Sequence, residues 1–134
     1  SILGYYSAYA KREMIPFMAK IDLQAQFSVD EIDMCLVLSN LLENAIEASL
    51  KTECSMRKVT VEMYLHHTHL LLIQVENSFD GKIREKNDIF QSSKHTGNGI
   101  GIQSVRHIAE KNGGASSFTY ENGIFTAKVM LRVL

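Results

Sequence analysis

The sequence predicts a two-layer α/β sandwich, in which a mostly antiparallel, mixed sheet of about five strands is covered on one face by about three helices. The order of the elements supports this fold, because the patterns along the chain read α-β-α-β-β-loop-α-β-β. Most of the strands arrive as hairpins, which pair antiparallel. Each helix carries an apolar stripe that it can hide only against the sheet.

Composition limits both the size of the protein and its partners. Residues 1–134, with 46% hydrophobic and 22% charged side chains, are expected to form a single domain with a sizeable core. A net charge of −1 offers no basic surface for a nucleic acid. No apolar run reaches the roughly 18 residues of a membrane span, so no direct membrane contact is expected. Cys35 and Cys54 indicate no disulfide framework, which favours the reducing cytoplasm.

A short helix and a strand open the chain. Ser1–Glu13 carries apolar residues at helical spacing, and Pro16 follows as a helix terminator. Because the helical pattern is already under way at the first residue, we expect residues 1–13 to be the end of a connector from an upstream segment. Apolar and polar residues then alternate over Phe17–Leu23, which predicts the first strand.

The second predicted helix is long and has one polar face. Ser28 and Glu31 have the spacing of a capping box, and they predict a helix that runs to about Lys51. Within it, Leu38–Ser49 reads L-S-N-L-L-E-N-A-I-E-A-S and places apolar residues at helical spacing. The other face of this stretch carries Asn40, Glu43, Asn44 and Glu47.

The two asparagines are the unusual members of this polar face. Asn is a mediocre helix former, because its side chain competes for backbone hydrogen bonds. Its carbonyl suits a hard cation such as Mg²⁺, which proteins hold with few side chains plus substrate phosphates. By itself the pattern favours a solvated face, and the alternative is that Asn40 and Asn44 are Mg²⁺ ligands. Glu43 and Glu47 would orient Mg²⁺-bound waters or be solvated, and for Glu43 we favour solvation.

The remaining elements are two hairpins, a loop and a helix. Four segments alternate apolar and polar residues as half-buried strands do: Val59–Leu65, Leu71–Glu76, Ser116–Tyr120 and Phe125–Val133. The first pair turns at His66–His69 and the second at Asn122-Gly123. Asn77–Asn98 covers about twenty residues without a clear pattern, and loops of this length are usually functional lids or disordered segments. The last helix ends at Asn112-Gly113-Gly114.

A glycine-rich segment precedes the last helix. Gly97, Gly99 and Gly101 alternate in the stretch Lys94–Ile102, and the helix begins there. Glycine lets backbone N–H groups approach a ligand closely, and a helix N-terminus adds unpaired donors and a positive dipole end. The segment therefore predicts a phosphate site, with a hinge that binds nothing as the alternative. It lacks the G-K-[ST] ending of a P-loop and follows a loop instead of a strand, unlike a dinucleotide-binding turn.

The combination of these motifs resembles the GHKL (Bergerat-fold) ATPases, which include gyrase, MutL, the heat-shock chaperone ATPase and the histidine kinases. The resemblance covers nearly the whole chain. Asn40 and Asn44 stand at the family's N-box, and Gly97, Gly99 and Gly101 stand at its G2 box. The variant N-L-L-E-N-A-I-E-A-S, with V-E-N-S and S-S-K…G-I-G-I, looks most like Agr-type peptide-pheromone sensor kinases, and next like citrate-type sensors.

The sequence departs from the family at the G1 box, which is D-x-G-x-G. The matching residues are Asn77-Ser78-Phe79-Asp80-Gly81, so Gly81 remains while Phe79 replaces the first glycine. Asn77 replaces the aspartate that accepts the adenine amino proton. Its carbonyl can still accept that proton, but it is neutral, and a charge-assisted bond is roughly twice as strong. We expect weaker adenine binding as a trait of the subfamily.

The resemblance implies the ATP-binding catalytic domain of a two-component sensor histidine kinase. Asn44, with Asn40, would hold Mg²⁺, and the Gly97–Gly101 amides would hold phosphates. Residues 77–98 would form the ATP lid, in which Lys94 would supply a positive charge. Hydrolysing members have a glutamate base at position 40, whereas Asn40 cannot take a proton from water. The γ-phosphoryl of ATP would therefore go to a histidine.

The implied partners are an upstream dimerisation and phosphoacceptor domain and a response regulator, in a homodimeric, membrane-anchored parent protein with this domain in the cytoplasm. The acceptor is not expected in this chain. Its histidines lie at the hairpin turn (His66, His67 and His69), in the lid (His95), or before Ile108 on the last helix (His107). Two alternatives stay open, namely a nucleotide-deficient docking module that regulates a partner phosphotransferase and an anti-sigma-type serine kinase.

Overall fold

The computed structural model describes residues 1–23, 27–67, 69–82, 84–86, 89–91 and 100–133. Within them the helices are α1 (Ile2–Arg12), α2 (Glu31–Leu50) and α3 (Ile100–Lys111), with a 3₁₀ turn at Cys54–Met56. The strands are β1 (Phe17–Asp22), β2 (Val59–His66), β3 (Leu70–Ser78), β4 (Arg84–Lys86), β5 (Ile89–Gln91), β6 (Ala115–Glu121) and β7 (Ile124–Arg132).

The main sheet has the strand order β1-β2-β3-β7-β6. Its β1–β2 pair is parallel, and its other pairs are antiparallel. The predicted two-layer sandwich with a mostly antiparallel, mixed sheet is therefore confirmed. None of the helices in the described part of the chain combines the length and apolarity that a membrane crossing needs.

The core lies between the sheet and the helices. Across the sheet, Val61 pairs with Val75, Val75 with Ala127, and Ala127 with Phe118, and all four side chains are buried. Because side chains alternate between the two faces of a strand, this row defines the helix-facing side. Leu42 and Ile46 of α2 are fully buried against that side. The alternation in the sequence thus identified the correct face of the central strands.

Helix α2 begins differently from the prediction. Asp30 is its N-cap, and the Asp30 Oδ1 accepts a hydrogen bond of 3.0 Å from the Asp33 N–H. The predicted capping box of Ser28 and Glu31 is therefore wrong, since Glu31 is the first helical residue. Asp is as good an N-cap as Ser, and it lies closer to the first apolar turn.

Two other predicted segments differ from the structure. The strand predicted over Phe17–Leu23 forms, but Ile21 is 43% exposed. An edge strand has a neighbour on one side alone, so its apolar positions are only partly covered. The predicted lid, Asn77–Asn98, is also not wholly irregular, because Asn77 and Ser78 end β3, and β4 and β5 pair as a small antiparallel hairpin. Strands of three residues are too short to show a periodic pattern.

Candidate functional site

The packing of α3 on α2 brings two of the sequence motifs together. Gly101, in the first turn of α3, faces the side chains of Asn40 and Asn44. A Cβ added to Gly101 would lie 3.1 Å from the Asn40 Oδ1 and 3.3 Å from the Asn44 Nδ2. Both asparagines are half-buried. Residues about sixty positions apart in the chain therefore share one small polar site.

The groups in this site suit phosphates and a hard cation. The amide oxygens of Asn40 and Asn44 are neutral oxygen donors of the kind Mg²⁺ accepts. The first turn of α3 contributes N–H groups without helical partners and the positive end of the helix dipole. Glycine at position 101 matters because a larger residue would press on the Asn40 Oδ1. The residues present therefore fit a Mg²⁺–phosphate group, although none of them can act as a general base.

The far end of α3 is held by a buried carboxylate that the sequence analysis did not identify. Asp33, in the first turn of α2, accepts hydrogen bonds from the Lys111 Nζ at 3.0 Å and the Asn112 Nδ2 at 3.1 Å. The hydrogen bond from Asn112, and to a smaller extent the one from Lys111, lowers the pKa of the Asp33 carboxyl. Because Asp33 starts α2 while Lys111 and Asn112 end α3, the contact holds the two helices antiparallel. An aspartate on the helix face that packs on α3 was the available signal, and periodicity alone did not reveal its partners.

Helix α1 contacts the polar face of α2. The Tyr6 hydroxyl donates a hydrogen bond of 3.3 Å to the Glu43 Oε2. Burial is the main reason that the pKa of Tyr6 is raised to about 12, and the negative charge of Glu43 adds to it. The pKa of Tyr9, one turn later on α1, is also raised, mainly by burial and next by the charge of Glu47. Glu43 is exposed, yet the predicted simple solvation is incomplete, because Tyr6 binds its carboxylate.

Asn77 is the last residue of β3 in the helix-facing row. It is only 3% exposed, and it pairs with Val59 of β2 on one side and Phe125 of β7 on the other. The Asn77 Nδ2 donates a hydrogen bond of 2.9 Å to the Ser78 carbonyl. With the amide nitrogen turned to the backbone, the Oδ1 is the acceptor that this residue can offer a ligand.

Phe79 and Gly81 take different roles after the end of β3. Phe79 is nearly buried, with its ring 5.9 Å from that of Tyr120 and 6.2 Å from that of Phe125. The first glycine of the family motif is thus replaced by an aromatic packing residue. Gly81 has φ +84, a left-handed conformation that favours glycine. The second glycine therefore still serves the turn, where the Asp80 Oδ1 accepts from the Lys82 N–H at 2.9 Å.

A buried pair of hydroxyl groups joins α2 to β3 beside Asn77. The Oγ atoms of Ser49 and Ser78 lie 2.8 Å apart, and the Lys58 N–H donates to both at 3.1 Å. Next to this network, a cleft of about 540 Å³ is lined by residues such as Lys51, Lys58 and Phe79. Asn40, Asn44 and Gly101 are not in its lining, so the cleft is distinct from the site on α2 and α3.

The structure locates some of the predicted site residues but not all of them. Asn40, Asn44 and Gly101 come together, and Asn77 and Gly81 follow one another at the end of β3. Lys94, Gly97 and Gly99 lie outside the described residues. Of the predicted glycine-rich phosphate site, the structure therefore describes Gly101 and the start of α3.

Comparison with known proteins adds independent information. Residues 29–132 match the sequence profile of the GHKL domain. Over 129 residues the chain is 28% identical to the sensor histidine kinase HprS of Escherichia coli. The aligned region covers 91% of this chain and 27% of HprS. The chain thus spans about a quarter of the length of that relative.

Solved structures share the fold at low sequence identity. The catalytic domain of the histidine kinase ThkA has a TM-score of 0.77 at 18% identity, covering 98% of this chain and 88% of its own. The mycobacterial sensor histidine kinase MprB has a TM-score of 0.73 at 19% identity, covering 98% and 91%. ThkA in complex with the response regulator protein TrrA has a TM-score of 0.72 at 20% identity, covering 98% and 38%.

At these identities, the structural likeness establishes the fold and nothing further. The profile match has a wider consequence, because it covers more than three quarters of the chain and includes Asn40, Asn44, Asn77 and Gly101. The resemblance that the N-box and the glycine-rich segment suggested is thereby confirmed at the level of the family. The chain belongs to the GHKL domain family.

Proposed function

We propose that this chain is the ATP-binding catalytic domain of a two-component sensor histidine kinase, and that it donates the γ-phosphoryl of ATP to a histidine on a separate dimerisation domain. The observation that carries this proposal is the close approach of Gly101 to Asn40 and Asn44, which leaves little room for a side chain at position 101. It joins two amide side chains to a helix N-terminus, which is what a Mg²⁺–triphosphate needs.

The roles of the residues follow from their chemistry. Asn44, together with Asn40, would hold Mg²⁺, which when bound neutralises charge on the transferred phosphoryl group. The N–H groups at the start of α3, with Gly97, Gly99 and Lys94, would bind and orient the phosphates. Phosphoryl transfer needs positioning and charge neutralisation more than covalent help from the protein, so a site without a catalytic acid or base is sufficient.

Asn40 favours phosphoryl transfer over hydrolysis. A glutamate at this position could take a proton from water, whereas a neutral amide has no titratable group. Asn77 would accept the adenine amino proton through its Oδ1, because its Nδ2 is engaged by the Ser78 carbonyl. A neutral acceptor makes that bond weaker than an aspartate would.

The finer assignment concerns the subfamily and the partners. The motifs Leu38–Ser49 and Val75–Ser78 support an Agr-type peptide-pheromone sensor kinase. In this proposal, residues 1–13 continue a connector from the dimerisation domain and residues 77–98 form the ATP lid. The parent protein is a membrane-anchored homodimer with this domain in the cytoplasm. A response regulator receives the phosphoryl group, and the complex of ThkA with TrrA supports a partner of this class.

A second candidate function follows from the two positions, Asn77 and Phe79, at which this sequence differs from the G1 box of the family. Phe79 packs on Tyr120 and Phe125, and Asn77 lacks a charge, so the domain would be a docking module that regulates a partner phosphotransferase without binding nucleotide. The retained Gly81 turn and the Gly101 contact favour the kinase, because a site without a ligand has no need of them.

A thermal melt separates the two candidates. We expect Mg²⁺ with ADP or a non-hydrolysable ATP analogue to raise the melting temperature of the chain, since a ligand at a hundred times its Kd adds roughly 2.7 kcal/mol to the folded state. The Asn44→Ala variant should lose that shift, because it removes a Mg²⁺ ligand. The absence of a shift with any purine nucleotide would contradict the kinase and favour the docking module.

A further inference from the structure

The contact between Tyr6 and Glu43 ties α1 to the helix that carries the candidate Mg²⁺ ligands. Tyr6 is 7% exposed, and its hydroxyl donates to the Glu43 Oε2 at 3.3 Å. This hydroxyl is protonated at neutral pH, as a tyrosine hydroxyl ordinarily is, and can therefore donate. Glu43 is exposed, so its carboxylate would otherwise be free to change rotamer.

Glu43 lies between α1 and the site on α2 and α3. On α2, Asn40, Glu43 and Asn44 share one face, since they are three and four residues apart. Gly101 of α3 approaches the two asparagines, while Tyr6 of α1 binds Glu43. At about 3.6 residues per turn, Glu43 and Asn44 flank Asn40 on opposite sides of the helix. A nucleotide held at Asn40 and Asn44 would therefore have its phosphates next to a glutamate on the adjacent position of the same helix.

This arrangement brings together charges of the same sign. The triphosphate of a nucleotide stays net negative even with one Mg²⁺ bound to it, and a glutamate at neutral pH is also negative, so their approach costs free energy. The orientation of the Glu43 side chain decides how close the two come. The hydrogen bond from Tyr6 favours the Glu43 rotamers that place the carboxylate toward α1.

We propose that Tyr6 is a positioning residue, which holds the Glu43 carboxylate on the α1 side of α2 and keeps its negative charge away from the phosphates of a bound nucleotide. This inference rests on the proposed function, because it assumes that a nucleotide occupies the site at Asn40 and Asn44. It makes α1 part of the electrostatics of that site, although α1 contributes no ligand.

The test is the nucleotide affinity of the Tyr6→Phe variant, which keeps the buried ring and removes the hydroxyl. We expect the Kd of a non-hydrolysable ATP analogue, measured by calorimetry in low salt, to rise about threefold, the scale of one exposed charge interaction in water. The difference should vanish in about 1 M salt, where the Debye length falls to roughly 3 Å. A structural defect would persist at high salt.

The Glu43→Gln variant supplies the decisive comparison. With the charge removed, adding Tyr6→Phe should change the Kd no further, whereas Glu43→Gln alone should bind at least as tightly as the parent chain. Tyr5→Phe is the matched control, because Tyr5 lies on the same helix but is 62% exposed. It should leave the Kd unchanged.

Two results would overturn the inference while leaving the proposed function intact. One is an unchanged Kd in Tyr6→Phe, and the other is an equal loss of affinity with and without Glu43→Gln. A parent chain that binds no nucleotide at all would instead overturn the proposed function, and the inference would fail with it. The affinity of the parent chain, measured first, therefore distinguishes the two failures.

Discussion

Two neutral amides set the chemistry of the candidate site at the scale of single residues. In the proposed function, Asn40 stands where a carboxylate would let water attack the nucleotide, and Asn77 stands where a carboxylate would bind adenine more strongly. Neither residue adds negative charge beside the phosphates. Gly101 completes the site by leaving room for Asn40 and Asn44 against the start of α3.

Adding one methyl group at position 101 should damage the site without damaging the fold. In Gly101→Ala the new Cβ would meet the Asn40 Oδ1 at 3.1 Å, so the asparagine must shift. We expect the Kd for Mg²⁺–ATP to rise about tenfold, as small displacements of positioning groups are costly. Alanine is the better helix former, so the melting temperature should not fall.

Gly4→Ala is the matched control for that substitution. Gly4 is also helical, and its Cβ would meet the Ser1 Oγ at the same 3.1 Å, outside the site. We expect this variant to keep the parent Kd. Equal losses of affinity in both variants, measured by calorimetry, would show that Gly101 has no special relation to the nucleotide.

Restoring the family's aspartate at position 77 should trade stability for affinity. In Asn77→Asp a charged acceptor faces the adenine amino group, and we expect the Kd for ATP to fall about fivefold. The variant also loses the donor to the Ser78 carbonyl and buries a charge, which should cost about 1–3 kcal/mol of folding free energy. Inosine triphosphate, which has an oxygen in place of that amino group, should gain nothing, and an equal gain for both nucleotides would contradict the assigned role of Asn77.

At the scale of elements, α2 positions its neighbours, because it contacts both ends of α3 and the end of β3. Asp33 holds the end of α3, Asn40 and Asn44 meet its beginning, and Ser49 joins the end of α2 to β3 through Ser78. The site therefore depends on how α3 lies along α2. Contacts at both ends of α3 restrict that arrangement more than either contact would alone.

The pH dependence of stability should report the Asp33 contact. Its pKa is lower in the folded state than in the unfolded chain, where it is about 3.9, so the folded state binds fewer protons. The contribution of Asp33 is therefore complete above the unfolded-state pKa and is lost as the pH falls through the lower folded-state pKa. Asp33→Asn should lower the melting temperature by several degrees at pH 7, with a smaller difference near pH 2.

Thermal melts of the parent chain and of Asp33→Asn at both pH values check this prediction. Asp30→Asn is the control, because asparagine is an equally good N-cap and Asp30 is exposed. A difference between Asp33→Asn and the parent chain that stays constant down to pH 2 would mean that the charge of Asp33 is not what holds α3.

At the scale of the whole molecule, the sheet order places the separate motifs on one side of the domain. Helices α2 and α3 both lie against the central sheet. Strand β3 ends at Asn77, in the helix-facing row, and at Ser78, which binds Ser49 at the end of α2. In our proposal, the resulting domain carries a nucleotide site and depends on another domain for the histidine that accepts the phosphoryl group.

The isolated chain should therefore be inactive by itself. Incubated with Mg²⁺ and radiolabelled ATP, it should neither become labelled nor hydrolyse ATP at a substantial steady-state rate, because Asn40 cannot activate water. Label should appear on a separately supplied dimerisation domain from the same parent protein. Strong Mg²⁺-dependent hydrolysis by the chain alone would contradict phosphotransfer to histidine.

The periodicity of the sequence predicted the central strands and the three helices correctly, because burial of one face imposes a local repeat on each element. It failed where the decisive interaction was not periodic. Ser28 and Glu31 matched a capping pattern that Asp30 displaced, and the short strands β4 and β5 had no repeat to detect.

By itself, then, the sequence determined the fold class, the apolar faces of the central strands and the residue types of the candidate site. Only the tertiary structure decided that Gly101 meets Asn40 and Asn44, that Asp33 binds Lys111 and Asn112, and that Tyr6 binds Glu43. The reason is physical. A local pattern records whether a side chain faces the core or the solvent, whereas a contact between distant residues depends on how the elements pack together.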